Sequence, residues 1–304
     1  MQIGADGRLQ IRFGREEAAM TLDSTLHSLL PVLVPIVAGL AVSAFAGVRM
    51  ESLVALLRSV FFPALLFTVL RDGIQLETFL LVAGIGAAMA AIGVLVARNS
   101  HRFLKPRVDP SAASLNVACF MVPFLALGWA SRGLAPACAL FVGATVVTLV
   151  VESRGNPRSL LSAPWVYAIV AFFLCQRATS AGAEIEVVLK PIAQATYPLL
   201  LVVLGASLHP LVSMKDANAW ATVCVRLVSG IGVAVLAIAV LPLSRLVAEG
   251  IFLTALAPPA TPSMILCGAG KDTEPSRVAA ALGTLVSLAA IITLMLTGWS
   301  PWRL

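Results

Sequence analysis

The chain has 304 residues, of which 59% are hydrophobic and 12% charged, with a mean hydropathy of +0.96. Soluble domains carry about 25% charged residues, so this balance excludes an ordinary soluble fold and leaves no room for a soluble domain between the apolar runs. The net charge of +6 is scattered over short loops; it reads as membrane-topology signal, and no basic stripe with interleaved aromatics suggests a nucleic-acid partner.

Residues 1–25 form a polar N-terminal tail of mixed charge without the apolar core and cleavage site of a signal peptide. Met20 offers an alternative start within it. Ten apolar runs are then expected to cross the membrane, since about 20 helical residues span the hydrocarbon core. The first three are Ser28–Val48, Leu53–Leu70 and Phe79–Ala97, followed by Ser111–Gly128, Pro136–Val151 and Leu160–Cys175. The last four are Val187–Leu208, Trp220–Leu243, Leu246–Gly268 and Val278–Trp299.

Two of these runs carry breaks. In the fourth, Asn116 and Pro123 put an amide and a proline inside the membrane; in the ninth, Pro258, Pro259 and Pro262 interrupt the run. Unpaired backbone groups find no water at that depth, so both features need a reason. Broken crossings in corresponding halves of a chain point to a transport site. Pro198 in the seventh run stands 135 residues after Pro63 in the second, and the same offset carries Pro123 to Pro258. Two five-crossing repeats follow, covering 26–152 and 153–304, the second inserted upside down because each has an odd number of crossings.

A helix that stops in mid-membrane leaves backbone N–H or C=O groups unpaired, and its N-terminal end suits a carboxylate or phosphate. Asn116 adds two donors and an acceptor, while Thr261 and Ser263 add hydroxyls at the second break. If the breaks meet, these groups with Pro123, Pro258, Pro259 and Pro262 make a neutral, dipolar, donor-rich site for a small organic anion. Arg58 and Arg226 lie inside runs, in the first half of helices that start from one face. They are read either as snorkelling to that interface or as drawing an anionic substrate into the inner vestibule.

The loop holding Arg98, Arg102, Lys105 and Arg107 marks the cytoplasmic side, which puts both termini outside. Cys119, Cys138, Cys175, Cys224 and Cys267 lie in apolar runs without metal or redox spacing, and His27, His101 and His209 do not cluster. No cofactor or metal is expected. Ser207 and His209 are two apart, point apart on a helix and have no acid following, so an enzyme is not expected. No Walker motif is present, so ATP is not the direct energy source. Gly84 and Gly86 are read as close helix packing.

At these residues the chain resembles the auxin efflux carrier family, whose bacterial members are relatives of the plant PIN carriers. The likeness covers about residues 26–298. It rests on LLPVLVPIVAGLAV in the first run, SVFFPALLFTVL in the second, and Asn116 followed seven residues later by Pro123. NPRSLLSAPWVYAIVAFFL, LKPIAQATYPLLLVVLGASL and APPATPSMILCGAGKDTEPSRVAAALGTLVSL carry it through the second half. The resemblance implies ten helices in two inverted five-helix repeats with crossovers at helices 4 and 9. It implies a scaffold from 26–72 and 158–212, often dimeric, and a mobile transport domain from 76–152 and 219–299. Met121 stands where the family commonly has glycine, and Ala257 where it commonly has methionine.

The expectation is an all-α membrane protein of the plasma membrane (the bacterial inner membrane). It acts as a secondary carrier, by family default an efflux carrier, for a small carboxylate, by alternating access around helices 4 and 9. A sodium-coupled bile-acid-type symporter and a non-transporting, carrier-like solute sensor are the alternatives. No depth-placed carboxylate marks a sodium or proton site.

Overall fold

A computed structural model of the chain describes residues 2–3, 9–10, 15–46, 51–102, 105–109, 115, 117–128, 133–152, 163–176, 179–208, 216–259 and 274–297. Helix dominates these residues. The exception is a two-stranded antiparallel hairpin, β1 (Gln2–Ile3) against β2 (Leu9–Gln10), within the N-terminal tail. Helix α1 begins within the tail and runs as Arg15–Ala41.

The remaining helices follow in chain order. They are α2 (Glu51–Leu56), α3 (Phe62–Gly73), α4 (Leu76–Asn99), α5 (Val122–Gly128) and α6 (Leu134–Glu152). After them come α7 (Pro164–Gln176), α8 (Thr179–Ser207), α9 (Ala217–Val240), α10 (Arg245–Ala255) and α11 (Glu274–Thr297). Six spans among the described residues are long and apolar enough to cross a membrane: Ser52–Arg71, Leu76–Asn99, Leu134–Val151, Glu184–Ser207, Ala217–Val240 and Arg277–Leu296. Leu29–Phe45, Val117–Leu127 and Pro164–Cys175 are shorter apolar helices. The chain is a helical, multi-pass membrane protein.

The local reasons are readable. Apolar runs this long must satisfy every backbone group internally, which in lipid selects helix. Glu77 opens α4 and Arg98 closes it, each opposite in sign to the helix pole beside it. Asp216 caps α9, its carboxylate accepting from Asn218 N–H at 2.9 Å. Asn218 in turn accepts from Arg107 N–H at 2.7 Å, which pins the basic loop after α4 over the start of α9.

Prolines are handled in two ways. Single π-helical turns, Leu57–Phe61 and Val117–Met121, lead into α3 and α5, and each of those helices has proline at its second position, Pro63 and Pro123. A proline ring clashes with the carbonyl four residues back in a regular helix, and a wider turn relieves that crowding. Pro123 therefore sits inside a helical first turn, and the interruption of its crossing lies upstream of it. Pro198, the expected analogue of Pro63 in the seventh run, breaks nothing: Pro191 and Pro198 both lie within the continuous α8.

Close packing rests on glycines used reciprocally. A Cβ on Gly86 in α4 would strike the backbone of Leu140 in α6, and one on Gly143 would strike that of Ala83. A Cβ on Gly39 in α1 would likewise meet Val202 in α8, and one on Gly205 would meet Ile36. Two backbones thus touch directly in each pair, which small residues allow. Of the two glycines expected to pack helices, Gly86 does so and Gly84 faces open space.

Most contacts fall within two groups: α1, α3, α7 and α8 pack together, as do α4, α6, α9, α10 and α11, while α3 against α6 and α1 against α11 join the groups directly. α5 touches both groups, through α1 and α8 on one side and α6 on the other. One continuous buried core runs through both, with Phe62, Phe141 and Trp165 stacked edge to face.

Candidate functional site

The second interrupted crossing is built from α10. Its 11 residues reach about 16 Å at 1.5 Å per residue, roughly half of a membrane core. The connection from α9 is only residues 241–244, so α10 runs back antiparallel along α9 and stops half-way. The last turn tightens, Leu256 N–H donating to Leu253 O at 3.1 Å and Ala257 N–H to Thr254 O at 3.0 Å. Pro258 and Pro259 follow; neither has an N–H to continue the helix, and Pro258 disfavours helical backbone at Ala257. Both prolines are buried.

The first interrupted crossing arrives at the same place. Leu115 and Pro259 form an isolated antiparallel bridge, side by side in extended backbone. Beyond Leu115 the chain enters the turn Val117–Met121 and then α5, with every side chain from Val117 to Met121 fully buried. At the far end of α5 the chain turns at Gly133, whose φ of +74° suits glycine. A Cβ there would lie 3.0 Å from Gly250 Cα of α10, and one on Gly250 would lie 3.1 Å from Gly133 O. The start of α6 is thereby seated against the middle of α10, while the Leu115–Pro259 bridge joins the two breaks.

Two more helices close the site. On α11, a Cβ on Gly283 would strike Pro259 Cδ and lie 3.2 Å from Pro258 Cβ, so α11 presses its backbone against the proline pair. On α9, Arg226 stands nine residues after the helix start, about 13 Å along the axis. A Cβ on Gly230 would land on Arg226 Nη1 and lie 3.1 Å from Ala255 O. The guanidinium therefore lies across Gly230, next to the last turn of α10. A cation there meets the negative end of that helix.

Arg226 is only 1% exposed, which overturns the snorkelling reading of this residue: four methylene-length bonds do not carry it to an interface because the side chain folds along its own helix over Gly230. Its Nε and Nη2 are buried and have no hydrogen-bond partner among the described residues. Ser287 Oγ, one turn beyond Gly283 on the same face of α11, is buried and unpartnered in the same sense. Arg226 adds a guanidinium beside the second break, next to groups that were expected to be neutral.

The other expected residues fall as follows. Met121 is fully buried, and Pro123 is buried in the first turn of α5. Asn116, Thr261, Pro262 and Ser263 lie outside the described residues. Arg58 is partly exposed on the turn Leu57–Phe61, away from the breaks in sequence and in the other packing group. Ser207 donates its hydroxyl to Leu204 O at 2.6 Å, and His209 lies outside the described residues. Among the described residues no cluster of three metal-ligating side chains occurs.

Sequence reasoning missed Gly230, Gly283 and Ser287. A signal existed for the first: Arg226 and Gly230 are four apart, on one helix face, where glycine leaves the space an arginine needs. No family model matches the chain, and no curated protein matches it either.

Proposed function

We propose that the protein is a secondary carrier for a small organic anion, working by alternating access around its two interrupted crossings, as its resemblance to the auxin efflux carrier family implies. The observation that carries this reading is the Leu115–Pro259 bridge. It brings together two chain breaks 144 residues apart at the depth where α10 stops, and irregular backbone at membrane depth is tolerated where it is buried in protein or lines a cavity.

The packing supports an inverted repeat. Under the 135-residue offset, the α1–α8 pair corresponds to α7–α3, and the α4–α6 pair to α9–α11; all four pairs are in contact. Thr196 Oγ1 donates to Phe61 O at 3.1 Å, and these two residues are themselves 135 apart. Equivalent positions touch each other only beside the axis that relates the repeats. The resemblance implies a scaffold of α1, α3, α7 and α8 and a transport domain that includes α5; α5 packs on α1 and α8 as well as on α6, and the α5 and α3–α6 contacts are the surfaces along which one group would slide past the other. In this reading the termini face outward, the dense basic loop faces the cytoplasm, and substrate moves with its own gradient and the membrane potential.

The test is counterflow. Purified protein in proteoliposomes preloaded with malate, malonate or indole-3-acetate should accumulate the corresponding labelled anion from outside. Failure across the panel in vesicles shown to hold folded protein would sink the carrier reading and favour a sensor. A strict requirement for sodium would move the protein to the sodium-coupled symporter mode. Asn116→Ala is the first substitution to test in the same vesicles; unchanged counterflow would remove Asn116 from the site.

A further inference from the structure

The buried guanidinium of Arg226 is the least expected group in the molecule. A buried polar atom without a partner costs about 1–3 kcal/mol, and more when it is charged. Native structures keep very few such atoms, and those they keep are concentrated where a ligand or a reaction uses them. In Arg226 two atoms are open, and they are not an arbitrary two. Nε–H and one Nη2–H point the same way from the same edge of the planar guanidinium, and that edge is the fork that grips a carboxylate through two parallel hydrogen bonds. The remaining nitrogen, Nη1, is the one lying over Gly230. The side chain is thus held by one corner, with its carboxylate-matching edge unpartnered among the described residues.

Position adds to chemistry. Arg226 flanks the last turn of α10, where Ala255 O approaches Gly230. The backbone of that break continues to Pro259 and to the bridge with Leu115. Ala255, Leu256 and Ala257 on one side of the break and Val117 to Met121 on the other are buried and apolar, and the buried Thr254 hydroxyl is spent on Gly250 O at 2.6 Å. An anion entering here would meet one full charge in low dielectric, where a charge-assisted hydrogen bond is at its strongest. Ser287 Oγ supplies another open donor on α11, the helix that presses on Pro258 and Pro259.

We infer that Arg226 is the residue that grips the transported anion, taking a carboxylate side-on through Nε and Nη2 at the second break. This rests on the carrier reading above for its place in a transport cycle, though not for the binding itself. It moves Arg226 from a lure in the vestibule to the centre of the site. It also assigns the charge selection to α9, a helix that is not itself interrupted.

The test is binding to the purified full-length protein, read as thermal shift and as intrinsic tryptophan fluorescence, with malonate, malate and indole-3-acetate as probes. Malonamide, indole-3-acetamide and inorganic phosphate serve as controls. At least one carboxylate should stabilise the parent, while its amide does not. Arg226→Lys keeps the charge and loses the fork; binding should weaken about 10- to 100-fold, the loss of charge-assisted hydrogen bonds. Arg226→Gln should abolish it. An amide as effective as its carboxylate overturns the inference in the parent protein alone, whether or not the variants fold. So do equal binding by parent and Arg226→Lys, absence of any carboxylate effect, and phosphate binding tighter than every carboxylate. Counterflow in the parent with unaltered binding in Arg226→Lys would leave the carrier standing and remove Arg226. Arg226-dependent binding without counterflow would do the reverse.

Discussion

Gly283 gives the sharpest test of how the second break is held. A Cβ added there overlaps Pro259 Cδ and lies 3.2 Å from Pro258 Cβ. Non-bonded carbons settle at about 3.5–4.0 Å, so α11 and the proline pair must part by about 1 Å. Proline rings cannot rotate aside, and both prolines are buried. Overpacking of this kind costs about 1–3 kcal/mol; in Gly283→Ala it is opposed by about 1 kcal/mol of helix propensity. The net expectation is a loss of about 0–2 kcal/mol for Gly283→Ala and a larger one for Gly283→Val. At about 2–4 °C per kcal/mol for a chain of roughly this size, Gly283→Val should unfold several degrees early in a fixed-rate thermal scan in detergent. Counterflow should fall further than stability does, because the displaced segment is the break itself. Gly84→Ala is the control: its Cβ meets nothing within 4 Å, so only the propensity gain remains. If Gly283→Val melted and transported like the parent, α11 would not be seated on the proline pair and the geometry drawn here would be wrong.

Three further outcomes are expected. Gly143→Leu should separate α4 from α6, because its Cβ falls on the Ala83 backbone; the same change at Gly205 should part α1 from α8, and either variant should lose most of its folded yield in detergent by size-exclusion chromatography. Thr196→Val removes a buried hydroxyl bonded to Phe61 O at 3.1 Å and should cost about 1 kcal/mol, with no effect on carboxylate affinity. Arg71 and Glu186 pair at 3.2 Å with side chains 24% and 22% exposed. A double-mutant cycle across them should give a coupling of about 0.5–1 kcal/mol that shrinks in high salt; a coupling several-fold larger would mean the pair is sealed from solvent.

Much of this protein is legible in one dimension because the bilayer is a severe solvent. Runs of apolar residues about 20 long must be helices, since no other local structure satisfies their backbone in hydrocarbon. That rule alone yields α4, α6, α9 and α11 to within a few residues, while α8 begins eight residues before its apolar run. The Pro258–Pro259 pair is an equally local signal: two adjacent rings without N–H groups follow the end of α10 at Ala255, whereas single prolines are carried within α1 and α8. The 135-residue offset between prolines is also a property of the sequence alone, though Pro198 shows its weakness, for that ring sits in an unbroken helix while Pro63 follows a π turn.

Tertiary structure decided everything that depends on which faces meet. Gly84 and Gly86 are indistinguishable in the sequence, yet Gly86 touches α6 and Gly84 touches nothing, because only one of two neighbouring positions can face a given helix. Arg58 and Arg226 looked alike, each in the first half of an apolar helix. One ended partly exposed, the other sealed against the end of α10, and the difference lies in Gly230 and in the short connection that folds α10 back along α9. The meeting of Leu115 with Pro259 joins segments 144 residues apart and could come only from the folded chain. Sequence marked both crossings as interrupted, the second through the local chemistry of a proline pair; the fold put the first interruption upstream of Pro123, at Leu115, and set the two against each other with an arginine beside them, because contact is not local.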